Sequence, residues 1–230
     1  MKKSLQIALE VILAIVCVVL AVLIVKSINK PVHFNKQKAY RESVAVQRLK
    51  DIRTLQVAYK SVNGKFNGSV DSLINFYNNG NMSVVLQIGS QDDSVAVAHT
   101  QAIKRKNRKI TPAQLYKLYE AGDNNLVFAI ESKIPVKDTL FTNRPELVLD
   151  SLKYIPFSGG KEVEMEAVVK MVSGVPVPLF EARMPYKLLL RGLDNQLRIN
   201  LDADQRAKNR FEGLQVGSVT APNNNAGNWE

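Results

Sequence analysis

The sequence predicts an α+β protein: an N-terminal transmembrane helix that continues into a helical stalk, then an antiparallel β-sheet domain. Three observations predict this. Residues Leu5 to Val25 form one apolar run, broken near its start by Glu10. Val46, Leu49, Ile52, Leu55, Tyr59 and Val62 recur at spacings of three and four, the pattern of a helix with one buried stripe. Val163, Met165, Ala167, Val169 and Met171 alternate with mostly charged residues, the pattern of a one-sided antiparallel strand. The expected divisions are a short tail (1–4), the transmembrane helix (5–25), the stalk (26–62), a globular α+β domain (63–219) and a disordered tail (220–230).

The apolar run comes first. About 20 apolar residues in a helix cross a hydrocarbon core of about 30 Å, and residues 5–25 are long enough. A cleaved signal peptide has a shorter apolar core and a small-residue exit. Here the run ends Val22-Leu23-Ile24-Val25-Lys26, with no such exit, so a retained anchor is expected. A lysine count across the span favours a cytoplasmic C-terminal domain, because Lys26, Lys30, Lys36, Lys38 and Arg41 follow it. A very short tail bearing Lys2 and Lys3 favours the opposite insertion. The reading adopted is a single pass through the inner membrane with a periplasmic domain.

Glu10 is costly inside a span and invites two readings. It can pair with a cation of a neighbouring subunit, or reach back about one turn to headgroup water. Cys17 is the only cysteine and lies mid-span, so no intrachain disulfide is expected.

The stalk pattern is strongest from Asn35 to Ser61. Gln47, Arg48, Lys50, Asp51 and Arg53 fill its expected polar face. Pro31 is expected to kink or interrupt the helix, and Asn63-Gly64 to stop it. A second helix is expected after Ser69, ending at Asn79-Gly80. A third is expected over Pro112–Ala121, with Thr111 and Gln114 at capping-box spacing and Pro112 at the first position.

The second half reads as β-rich. Ser173-Gly174 marks a turn after the alternating strand, and a return strand begins at Val175. Pro176 and Pro178 confine that strand to an edge. Further short strands are expected at Gln196–Leu201 and Leu214–Val219, with a short helix between Asp202 and Asn209. Pro222–Glu230 is Asn-rich and expected to be disordered.

The net charge of +10 suggests affinity for anionic lipid, a polyanionic glycan or an acidic protein. The one cationic cluster is Lys104, Arg105, Lys106, Arg108 and Lys109, a candidate anion-binding surface that also reads as a solvated loop. No nucleic-acid module accompanies the charge, so nucleic acid is not an expected partner.

No catalytic motif is visible, and an enzyme is not expected. His33 and His99 lack partners at metal-ligand spacing, so neither a metal nor a cofactor is expected. Asp92-Asp93 and the strand residues Glu162, Glu164 and Glu166 read as solvated carboxylates. Ser158-Gly159-Gly160 lacks the context of a phosphate loop.

The N-terminal third resembles a type IV pilin or type II secretion pseudopilin. The similarity rests on the apolar helix with its early Glu10, then Arg41-Glu42-Ser43-Val44-Ala45-Val46, Leu49-Lys50-Asp51-Ile52-Arg53, Gln56-Val57-Ala58-Tyr59 and Asn63-Gly64-Lys65-Phe66. It covers about residues 5–80 and is carried by the order and spacing of these pieces. It implies a helix that packs subunits into a filament or short pseudopilus, with Glu10 helping to register neighbours. Aligning Glu10 with the family's glutamate puts the leader cut between Leu5 and Gln6, where the family has Gly followed commonly by Phe or Met. The resemblance therefore stops short of leader processing. The whole chain is also similar to single-span envelope proteins of Bacteroidetes-type bacteria.

The expected partners are thus the lipid bilayer and either further copies of this chain or an envelope complex. Glu10, Leu49, Ile52 and Tyr59 are the candidate assembly residues. The competing expectation is an anchored binding or adaptor module that recruits a partner, lipid or anionic glycan through its basic surface.

Overall fold

The fold is α+β, seen in a computed structural model that describes the backbone of residues 3–230 and side chains from Glu10 onward. Helix α1 runs from Lys3 to Asn63. The short tail expected over 1–4 lies partly outside the described residues, and α1 is already formed at Lys3. Of the two outcomes expected at Pro31, interruption does not occur: the proline sits inside α1. A proline costs a helix one backbone bond and a local clash, and over 61 residues the other turns carry the helix through. The stop at Asn63-Gly64 is as expected. Gly64 takes a positive φ of 71° and its N–H returns to the Lys60 carbonyl, the left-handed ending that glycine adopts without penalty.

The remaining elements are α2 (Val70–Asn79), β1 (Asn81–Ile88), α3 (Ser94–Lys106), α4 (Pro112–Glu120), β2 (Phe128–Pro135), α5 (Val136–Thr139), a 3-10 turn at Leu149–Lys153, β3 (Glu164–Val172), β4 (Val175–Pro185), α6 (Tyr186–Leu189), α7 (Asn195–Ala207) and β5 (Gly213–Gly217). The chain divides into two compact units. The first comprises Met1–Val57, Lys65–Val70 and Val148–Glu230, and the second Ala58–Gly64 and Asp71–Leu147.

In the first unit, β3, β4 and β5 form an antiparallel sheet in that order. The β3–β4 pair turns through Ser173 and Gly174, both at positive φ, between paired Val172 and Val175. A two-residue connection of this kind matches the twist of its strands. The edge expectation for β4 needs correction, because β4 is the central strand. β5 pairs only with Glu181–Pro185, so Pro176 and Pro178 fall on the half that β5 does not reach. Gly217 closes the β4–β5 contact. A Cβ there would lie 2.2 Å from the Phe180 carbonyl oxygen, so no other residue fits.

Residues 196–201 form no strand. They belong to α7, which absorbs the short helix expected from Asp202. Asp194 explains the difference: its side chain accepts from the Leu197 N–H and caps the helix one residue ahead of that segment. The tail expected to be disordered is also held. Gly217 N–H donates to Ala226, Val216 bridges Gly227, and Asn228 exchanges bonds with Gln215 and Gly213.

In the second unit, β1 and β2 pair antiparallel from Asn81↔Pro135 to Ile88↔Phe128, a ribbon the sequence pattern did not announce. Its core holds Leu115, Leu126 and Phe128, with Ile88, Ile103, Ile110, Tyr116, Tyr119 and Ile130 packed against them. Helix α4 begins as expected, with the Thr111–Gln114 capping box complete and Pro112 at its start.

Candidate functional site

The first feature is the exposed half of α1. From Glu10 to Lys30 every residue is exposed, including Val, Ile and Leu around the whole helix circumference. A helix apolar on all sides is at rest only when lipid or other protein surrounds it. This is the one helix among the described residues long and apolar enough to cross a membrane. Glu10 is exposed and carries no ion pair among the described residues. Cys17 is a free, exposed thiol on the same stretch.

Burial begins abruptly at Phe34 and then follows the helical period through Ala45, Leu49, Ile52, Leu55 and Ala58. The buried stripe expected along the stalk over 26–62 is therefore present from Phe34 onward. Two candidate assembly residues need correction: Leu49 and Ile52 are 0 % exposed and belong to the core of their own chain. Tyr59 is half-buried, with its ring edge-on to Phe76 at 5.2 Å. The spacing of the stripe was legible, but a stripe has the same period whether it meets its own domain or another subunit.

A row of polar side chains on α1 ties that helix to the rest of the first unit. Lys30 Nζ lies 2.7 Å from Asp194 Oδ2. Arg41 donates to the carbonyls of Leu189 and Arg191 at 3.1 and 2.8 Å, and its guanidinium stacks over Phe157 at 4.8 Å. Glu42 accepts from the Tyr186 phenol at 2.7 Å and pairs with Lys38 at 3.3 Å. Arg48 donates to the Ser151 and Tyr154 carbonyls. Arg53 reaches Asn225 and Glu230. Gln56 exchanges bonds with the Asn67 backbone.

Arg48 and Arg53 were expected on the polar face of the stalk. Arg41 and Arg48 stand seven apart, two turns along one face, and that spacing was the available signal. Their long side chains satisfy carbonyls at turn ends, which no sequence pattern identifies in advance. Burial pulls the Arg48 guanidinium below its ordinary value. Burial, then the Glu42 carboxylate, pushes the Tyr186 phenol well above its own. Lys30 holds the Asp194 carboxyl below the usual range.

The basic cluster is placed differently from expectation. Lys104, Arg105 and Lys106 form the last turn of α3, with Arg108 and Lys109 just beyond it. All five are exposed. Cations at a helix C-terminus complement its carbonyl dipoles, so part of this clustering is explained by the helix itself.

The weaker candidates take structural roles. Asp93 caps α3, accepting from Val95 and Ala96 N–H groups. His99 Nε2 and Asp123 Oδ2 are 2.9 Å apart, and the His99 ring holds the Asp123 carboxyl low. Buried Ser158 donates to the Ile155 carbonyl and accepts from Lys161 N–H, closing a turn. Glu164 pairs with Arg183, and Glu162 with Lys153. Among the described residues, no three His, Cys, Asp or Glu side chains gather where they could hold a metal ion. No family model, curated protein or solved structure matches this chain.

Proposed function

We propose that this chain is a membrane-anchored structural or assembly subunit of a bacterial cell-envelope or secretion/pilus-like complex. It sits in the inner membrane as a single-pass protein with a periplasmic domain, and it self-associates through its N-terminal helix. One observation carries this reading: the apolar half of α1 is exposed on every side, and its one carboxylate, Glu10, is exposed with it. Such a surface requires lipid and can also accept another copy of itself. The resemblance of residues 5–80 to type IV pilins and pseudopilins supports the same role. With Leu49 and Ile52 buried, the exposed apolar run before Phe34 is the surface that supports such a contact.

Photo-crosslinking in native membranes from a probe at Ile12, close to Glu10, tests the reading. Self-assembly gives a ladder of regularly spaced masses, and Glu10→Leu weakens it. A single band of foreign mass points to a hetero-complex. Monomer alone, with an efficient probe, overturns self-association.

The alternative is an anchored adaptor that recruits a polyanionic partner, lipid or glycan. The five exposed cations at the end of α3 favour it. It predicts salt-sensitive binding of a polyanion that is lost on charge reversal at Lys104, Arg105, Lys106, Arg108 and Lys109.

A further inference from the structure

The helix meets its own domain a very short distance beyond the apolar run. That run ends at Val25, and only Lys26, Ser27, Ile28 and Asn29 precede Lys30. Lys30 is already paired with Asp194 at 2.7 Å, and Phe34 is buried. From Val25 to Lys30 a helix rises about 7.5 Å. The polar layer of a bilayer adds about 5–7 Å on each side of its hydrocarbon core. The two lengths are nearly equal.

Asp194 has two tasks. One carboxylate oxygen caps α7 by accepting from Leu197 N–H at 2.9 Å, and the other takes Lys30. The start of α7 is therefore fixed to one level of α1. Arg41 holds the preceding turn through the Leu189 and Arg191 carbonyls. Asn195 and Gln196 are exposed beside this capped end, and Ile199 is exposed one turn further on. Lys26, directly after the apolar run, is exposed.

We propose that the turn between α6 and α7 and the first turn of α7 rest in the headgroup layer of the bilayer that holds α1, with the Lys30–Asp194 pair as their spacer. The occupant of this surface is the lipid headgroup layer itself. The inference rests on the membrane anchoring proposed above. It replaces a domain held away on a stalk with a domain seated on the membrane.

The full-length chain with Cys17→Ala tests it, carrying one cysteine at a time: Leu13→Cys, Gln196→Cys or Glu166→Cys. Each is labelled with a fluorophore and reconstituted into phosphatidylcholine–phosphatidylglycerol vesicles. The quenchers are lipids spin-labelled deep in the acyl chain or at the headgroup. Glu166 follows Met165, whose Sδ is 3.3 Å from Gln56 Nε2, and Gln56 lies about 46 Å of helix rise beyond Val25.

The Leu13 label should be quenched by the deep probe. The Gln196 label should be quenched several-fold more than the Glu166 label by the headgroup probe. Lys30→Ala should lower quenching at Gln196 while leaving Leu13 unchanged. If Leu13 is quenched but Gln196 and Glu166 respond alike, the anchor stands and the seating is wrong. An unquenched Leu13 removes the anchor and the seating together. Full quenching at Gln196 in Lys30→Ala rejects the ion pair as the spacer.

Discussion

The Tyr186 phenol donates a 2.7 Å hydrogen bond to Glu42 Oε1, joining the start of α6 to the second half of α1 across 144 residues of sequence. Lys38 completes the group, pairing with Glu42 and lying 6.0 Å from the centre of the Tyr186 ring. Tyr186→Phe keeps the ring and removes only the donor. Bonds to a charged acceptor are worth about 1.5–3 kcal/mol. Chemical unfolding of the variant should show a loss near the lower end of that range, because Lys38 still pairs with the carboxylate. A midpoint identical to wild type would mean the bond is replaced by water without cost.

Leu49→Ala and Ile52→Ala should each destabilise the chain by about 2–5 kcal/mol, the usual result of opening a cavity in a packed core. Both side chains are fully buried. Where the variants remain folded, crosslinking from Ile12 should be unchanged. Altered crosslinking without lost stability would return these residues to an assembly surface.

Asp202 gives the fold a pH dependence of definite sign. Burial raises its carboxyl above the ordinary value of 3.8, while Arg198 pulls the other way. The folded state therefore holds this proton more tightly than the unfolded chain does. The resulting stability is present in full below 3.8 and is lost as pH rises through the higher folded value. One carboxylate oxygen, Oδ1, is buried without a hydrogen-bond partner, while Oδ2 takes Arg198. Asp202→Asn cannot ionise. Denaturant titrations from pH 4 to 7 should show the variant gaining on wild type as pH rises. Parallel curves would contradict this assignment.

Deleting residues 221–230 should expose β5. The deletion removes the Val216–Gly227 bridge, both Asn228 contacts and the 2.8 Å ion pair between Arg53 and Glu230. Hydrogen exchange at the Gln215 and Gly217 amides, which donate to Asn228 and Ala226, should accelerate at least tenfold. Unchanged protection would show that the tail merely lies against the sheet.

Much of the fold was legible because its signals are local. The Thr111 capping box, the Gly64 and Gly80 stops and the Ser173-Gly174 turn each lie within a few residues, and each took its expected form. The alternation of β3 holds only over its first half: Val163 is buried and Met165 and Ala167 half-buried, whereas Val169 and Met171, expected on the same face, are exposed. Residues 196–201 were misread because Leu197 and Ile199 alternate like a strand, while the Asp194 cap before them went unweighed. The tail was misread because its asparagines look like solvated loop, yet the Asn228 side chain bonds the backbone of β5 at both Gly213 and Gln215. The candidate site was legible only in part. Its apolar run is a property of composition, whereas the Arg41, Arg48 and Arg53 contacts depend on chain that arrives more than a hundred residues later.

Those separations bear on how the protein is made. Arg48 waits for Ser151 and Tyr154, Arg41 for Leu189 and Arg191, and Arg53 for Glu230. A ribosome adding about 5–20 residues per second needs roughly 9–35 s to travel from Leu55 to Glu230. During that interval α1 has emerged but the strands that shelter its inner stripe do not exist. The nascent chain thus carries two greasy surfaces, the exposed apolar run and the stripe that its own domain later covers; on the proposed anchoring only the first is for lipid. The polar residues interleaved with the second, Arg41, Arg48, Asp51 and Arg53, make it a poor substrate for insertion. On the proposed anchoring, the same arginines that later clasp the finished domain would keep the unfinished helix from sliding further into the membrane.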